Sequence, residues 1–166
     1  MEITFHGVAS QTEKMPPKVG EFLPEFKVLA PNKTLSTKEL LTKPSLISVV
    51  PDIDTRVCSL STKHFNQEVD KYQGFNFYTI STNTLAEQAN WCATEGVEKM
   101  QLLSDVQAEF GKALGLYVAD KKIDARSIWV VAENGEILYQ ELIKEQTNEP
   151  DYKTALGFLE HLENNR

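Results

Sequence analysis

The chain has 166 residues, 41% of them hydrophobic and 25% charged, with a net charge of −7. That is enough for one domain with a full core, expected to span 1–166, and too few for two comfortable ones. The acidic balance argues against nucleic acid or an anionic membrane as the main partner, and no apolar run approaches a membrane span.

Met1 to His6 has no basic stretch followed by an apolar one, so it does not read as a signal peptide and the expected compartment is the cytosol. A purely structural disulfide is unexpected there. The two cysteines, Cys58 and Cys92, are therefore either inert core thiols or redox groups. Ile3 to Ser10 reads as an extended segment broken by Met15-Pro16-Pro17, and Phe26 to Ala30 as a short strand ended by Pro31-Asn32. Ser36-Thr37-Lys38-Glu39 is a capping box opening a short helix to about Leu41. Ser45 to Val50 is short, apolar and β-branched, a buried strand that Pro51 stops. From about Val57 to Lys71, Leu60, Phe65 and Val69 mark an imperfect amphipathic helix.

Phe75 to Ser81 is a second buried strand, and Thr84-Leu85-Ala86-Glu87 is a capping box for a helix carrying Trp91 and Cys92. A further helix is predicted from about Asp105 to Leu114, with Gly115 as its left-handed cap. Ser127 to Val131 and Ile137 to Ile143 are strands joined through Glu133-Asn134-Gly135, a hairpin signal. The last helix starts near Pro150 and buries Leu156, Leu159 and Leu162. A βαβ unit followed by a hairpin and a closing helix is the order of a thioredoxin-like α/β domain.

Cys58 falls where a strand ends and a helix begins, and a helix start favours a thiolate. Taking a thiol from its ordinary pKa to about 6 raises its ionised fraction about 30-fold. It also lowers intrinsic nucleophilicity, by roughly tenfold if thiol–disulfide sensitivity carries over. The net gain is only about threefold, so a fast enzyme built here must also place donors on the electrophile. Thr55 offers a hydroxyl that donates and accepts. A guanidinium is the other suitable group, and the chain has three arginines, Arg56, Arg126 and Arg166. Arg126 precedes a buried strand whose end could line the same cleft. Arg56 is nearer in sequence but flanked by Asp52 and Asp54. Taken singly, each residue has a duller role: an inert thiol, an N-cap threonine, an arginine paired at the surface. Their combination at one junction carries the functional reading.

Pro51-x-x-x-Thr55-x-x-Cys58 resembles the active-site signature of peroxiredoxins, and Asp54-Thr55-x-Val57-Cys58 is similar to the bacterial thiol peroxidase branch, the atypical two-cysteine type. Phe5-His6-Gly7, Trp91-Cys92-Ala93-Thr94-Glu95-Gly96, Ala125-Arg126 and Glu149-Pro150-Asp151-Tyr152 extend the likeness over nearly the whole chain. The resemblance implies a thioredoxin-like fold, with a central mixed sheet flanked by helices and an N-terminal β-hairpin extension. It implies that Cys58 attacks peroxide and becomes a sulfenic acid, that Thr55 and Arg126 hold the thiolate and polarise the peroxide, and that Pro51 shields the sulfur. Cys92 would resolve the sulfenic acid as an intrachain disulfide that thioredoxin reduces. It further implies hydrogen peroxide or alkyl hydroperoxides as substrates, a homodimer, and no cofactor. Arg56 and Asp52 depart from the pattern: proline or glycine is commoner at the first position, a small polar residue at the second.

A disulfide needs Cα atoms within roughly 7 Å, so thiols on two separate helices require local unwinding in each cycle. Val57, Leu60 and Trp91 are expected to border the site. No C-x-x-C occurs and the three histidines are scattered, so a metal is not expected. His64 lies about 240° around the helix from Cys58, a poor position for a local base. Two other readings stay open: a one-cysteine peroxidase with Cys92 silent, and a redox sensor signalling through the disulfide.

Overall fold

The computed structural model describes residues 1–165. Along the chain, β1 (Glu2–Phe5) and β2 (Val8–Gln11) form a hairpin, followed by β3 (Lys27–Ala30), β4 (Lys33–Ser36) and α1 (Thr37–Leu40). Then come β5 (Ser45–Val49), α2 (Arg56–Glu68), β6 (Asn76–Ser81), α3 (Leu85–Glu95), β7 (Gln101–Ser104) and α4 (Glu109–Leu114). The chain ends with β8 (Tyr117–Val118), β9 (Ile123–Asp124), β10 (Ser127–Val131), β11 (Ile137–Leu142) and α5 (Tyr152–Asn164).

Seven strands make one mixed sheet in the order β11-β10-β5-β6-β7-β3-β4. The middle three run parallel, and β10 and β3 join them antiparallel. Because helices cover both faces, the central strands are buried throughout rather than alternating with solvent. Ile47 and Val49 of β5, Tyr78 and Ile80 of β6, and Trp129 of β10 pack on the face that holds Leu40, Phe110 and Leu114 of α1 and α4. Leu46, Phe77, Ile128 and Val130 point to the other face, against Cys58 and Phe65 of α2, Trp91 of α3, and Ala155 and Leu159 of α5. Both cysteines therefore lie on one side of the sheet, Cys92 packed on the rim of the cluster that contains Cys58. Among the described residues, no helix is long and apolar enough to cross a membrane.

Both predicted capping boxes form, at Ser36–Glu39 and Thr84–Glu87, and Gly115 ends α4 at φ 71°. Four local expectations change. The segment 3–10 is not one strand: His6 (φ 50°) and Gly7 (φ 79°) turn it into the N-terminal hairpin that the resemblance implied, as two consecutive left-handed residues do. A third parallel strand, β7, stands between α3 and α4, where the chain was expected to pass directly from helix to helix. Only Leu102 and Leu103 of its four residues are apolar, too little to show a period. The helix expected from Asp105 begins only at Glu109, because Asp105 caps from outside, accepting from the amides of Phe110 (2.9 Å) and Gly111 (2.8 Å). On α5, Leu159 is buried while Leu156 and Leu162 are half-buried at the rim.

Asp105 and Asp124 form a buried carboxyl pair, at 1% and 0% exposure. Their carboxyl groups crowd together over Gly111. Among the described residues, no protein donor reaches either oxygen of Asp124. Gly111 sits directly beneath: a Cβ there would lie 1.8 Å from Asp124 Oδ1.

Candidate active site

Strand β5 carries the chain to Val50, whose amide donates to Ile80 O (3.0 Å), and Pro51, buried and without an N–H, ends the ladder. The turn that follows is pinned from the loop after β6. Ile53 N donates to Asn83 Oδ1 (2.9 Å), and Asn83 Nδ2 donates to Asp52 Oδ1 (3.0 Å). Thr55 holds the N-cap position of α2 with extended backbone, yet its hydroxyl does not cap. It donates instead to Asp52 O (2.8 Å), which leaves its lone pairs free of that bond. Cys58 is the third residue of α2 and wholly buried.

Sixty-eight residues away in sequence, Arg126 Nη2 lies 3.2 Å from Cys58 Sγ. Arg126 is 3% exposed, at the entry to β10. Its Nε donates to Gln146 O (2.8 Å) and its backbone amide to Gln146 Oε1 (2.5 Å). Its Nη1 is buried and, among the described residues, has no protein acceptor. The structure thus brings together Pro51, Thr55, Cys58 and Arg126. Arg56 lies exposed at the mouth of the same cleft, away from the sulfur contact.

That cleft has a volume of about 460 Å³ and is lined by Phe5, His6, Pro51, Thr55, Arg56, Val57, Arg126, Gln146 and Thr147. Val57 borders it as expected; Leu60 and Trp91 do not. Leu60 points outward at 41% exposure, and Trp91 packs into the core at 5%. The hairpin tip takes their place, through Phe5 and His6.

Glu145 secures that tip, accepting from Thr4 Oγ1 (2.8 Å), Gly7 N (2.8 Å), His6 N (3.1 Å) and both the amide and hydroxyl of Thr147. The Thr147 hydroxyl, then the Gly7 amide, hold its carboxyl well below the usual range. Glu145 and Gln146 give no signal in the sequence, where a Glu-Gln pair in a loop carries no pattern. His64 is no base for Cys58: its ring stacks on Tyr152 (3.9 Å between centroids). Burial, then the bond to Glu149, pushes the Tyr152 phenol up, so it stays protonated.

Both cysteines are free thiols. Cys92 lines a separate shallow pocket of about 140 Å³ with Pro31, Leu85, Gln88, Ala89 and Leu102, and burial pushes its thiol up. Helices α2 and α3 are tied by the Lys63–Glu95 ion pair at 2.8 Å.

A family model described as Redoxin matches residues 18–156. The chain is 40% identical over 157 residues to a thiol peroxidase of Bacillus subtilis, spanning 93% of this chain and 94% of that protein. It is 38% identical over 156 residues to a thiol peroxidase of Halalkalibacterium halodurans, spanning 93% and 94%. In fold it is similar to a solved peroxiredoxin-like protein from Aquifex aeolicus, with TM-score 0.89 and 24% identity over 97% of this chain and 96% of that one. It is also similar to a thiol peroxidase from Chromobacterium violaceum, with TM-score 0.88 and 15% identity over 98% of each. The fold is thus the thioredoxin-like peroxiredoxin fold that the sequence resemblance implied.

Proposed function

The chain belongs to the redoxin family and, within it, to the thiol peroxidases, which are peroxiredoxin enzymes, and from that premise we propose a two-cysteine catalytic cycle run by Cys58 and Cys92. The Cys58 thiolate attacks one peroxide oxygen, an S–O bond forms, the O–O bond breaks, and the departing oxygen takes a proton to leave as water or an alcohol. Negative charge builds on that departing oxygen, and preorganised donors aimed there lower the barrier. Arg126 supplies them: Nη2 faces the sulfur, and Nη1, buried and unpartnered, is left for the peroxide. Thr55, its proton committed to Asp52 O, accepts the peroxide hydroxyl. Pro51 keeps water off the sulfur.

Cys92 then attacks the sulfenic acid, an S–S bond forms and water leaves; reduced thioredoxin returns the pair to thiols. The two cysteines start in separate surroundings, one wholly buried and one on another helix. Resolution therefore requires the first turn of α2, the region around Cys92, or both to unwind. Hydrogen peroxide and alkyl hydroperoxides are the proposed substrates, the cytosol the compartment and a homodimer the working form.

The Arg126–Cys58 contact carries this reading. The test is thioredoxin-coupled peroxide consumption by wild type, Cys58→Ser and Cys92→Ser. Both variants should lose turnover. An inactive wild type would remove the enzyme in favour of a redox sensor. Full turnover by Cys92→Ser, with loss only in Cys58→Ser, would leave a one-cysteine peroxidase.

A further inference from the structure

An arginine side chain samples many rotamers, and a guanidinium useful at one sulfur must be held in one of them. The planar fork helps: once Nε is fixed, the directions of both Nη groups follow. Here Nε is fixed by a backbone carbonyl, that of Gln146, which sits in the loop between β11 and α5. A loop carbonyl is a poor anchor unless the loop itself is held.

Gln146 holds it. The residue is 2% exposed. Its Oε1 accepts from the Arg126 backbone amide (2.5 Å), and its Nε2 donates to Ile143 O (2.6 Å). Its own amide donates to Thr4 O (2.8 Å), and Thr4 N in turn donates to Lys144 O (2.8 Å). Next to it, Glu145 gathers the hairpin tip. We infer that Gln146 is a positioning residue for peroxide reduction, gripping Arg126 at its backbone and its Nε so that the guanidinium stays on Cys58. The N-terminal hairpin, through Thr4, is the far end of that brace. The inference rests on the peroxidatic role of Cys58 proposed above.

The test uses Cys92→Ser protein, in which thiolate absorbance and a single peroxide turnover both report Cys58. Adding Gln146→Met removes both side-chain bonds at similar volume. The second-order rate of Cys58 oxidation by hydrogen peroxide should fall at least about tenfold, a fraction of what losing a whole oxyanion donor costs. The thiolate absorbance at neutral pH should fall with it, because Nη2 no longer stays on the sulfur. Loosening of the fold alone would lower the melting temperature and leave that absorbance unchanged. Gln146→Asn, which keeps the amide but is one methylene short of Arg126 N, should move both readouts the same way and serves where the methionine variant does not fold. Unchanged rate and absorbance in a folded variant, or a lowered melting temperature alone, overturns the positioning role. Parent protein that consumes no peroxide overturns the peroxidase reading instead, and the absorbance still decides the role of Gln146.

Discussion

Replacing Asp124 with asparagine should change how stability depends on pH more than it changes stability at any one pH. Asp124 is wholly buried, and among the described residues no lysine or arginine pairs with it or with Asp105. Its oxygens face no protein donor, whereas Asp105 receives two backbone amides. Burial, then the neighbouring Asp105 carboxyl, raises the Asp124 carboxyl well above the ordinary range. The other charged or titratable groups nearby are Glu109 beside Asp105, and Tyr117, whose phenol burial and then Asp124 push up and over whose ring Lys112 sits. An acid raised in the folded state makes native protein bind one proton more than unfolded protein. Its stabilising contribution is full below an unfolded value near 3.9 and is lost as pH rises towards the folded one, at about 1.4 kcal/mol per pH unit. For a chain of this size that is about 4 °C in melting temperature per unit. Asparagine is nearly isosteric, uncharged, and can donate to Asp105. Thermal unfolding of reduced wild type and Asp124→Asn at several pH values from 4 upward should show curves that diverge, the variant gaining relative to wild type. Parallel curves would refute the raised carboxyl.

Gly111→Ala places a Cβ 1.8 Å from Asp124 Oδ1 and should cost at least about 2 kcal/mol in urea unfolding; a double-mutant cycle with Asp124→Ala should show the loss largely relieved, and additive effects would contradict the contact. Arg126→Met should slow peroxide attack at least about tenfold, while Arg56→Ala, at the cleft mouth, should stay within about twofold; the reverse pattern moves the electrostatic role to Arg56. Glu145 is held below the usual range, so its contribution is present above about pH 4.3 and is lost as pH falls. The melting temperatures of wild type and Glu145→Gln should therefore differ at neutral pH and converge in acid, and a constant difference would argue against the charge. Hydrogen exchange around both cysteines should quicken when the protein is oxidised; identical exchange in the two redox states would exclude unwinding.

The fold was legible where burial is two-sided. Ser45–Val49, Asn76–Ser81 and Ser127–Val131 show as strands because helices on both faces demand short, mostly apolar runs without charge. Capping boxes and Asn134-Gly135 show because they are satisfied by neighbours in sequence. Strands β4 and β7 do not, since four residues with one or two apolar side chains leave no period to read. Side-chain direction failed at Trp91 for a related reason. Its ring packs into the core cluster on whose rim Cys92 lies, a place set by residues distant in sequence.

At the site, the readable half is the one written within eight residues, Pro51 to Cys58. The opposing half is assembled by strand pairing, and its parts differ in how much they reveal. Arg126 could be suspected, because arginine is rare here and a thiolate enzyme needs a second cation-like donor. Gln146 could not, because its task is defined by other atoms: an amide and an Nε twenty residues earlier, and a hairpin at the start of the chain. The same logic explains why Cys58 is the third residue of α2 and still has no exposure. A helix start alone gives a thiol little net advantage. A buried start facing a braced guanidinium, with one nitrogen on the sulfur and one unspent, puts the donors where the bond breaks.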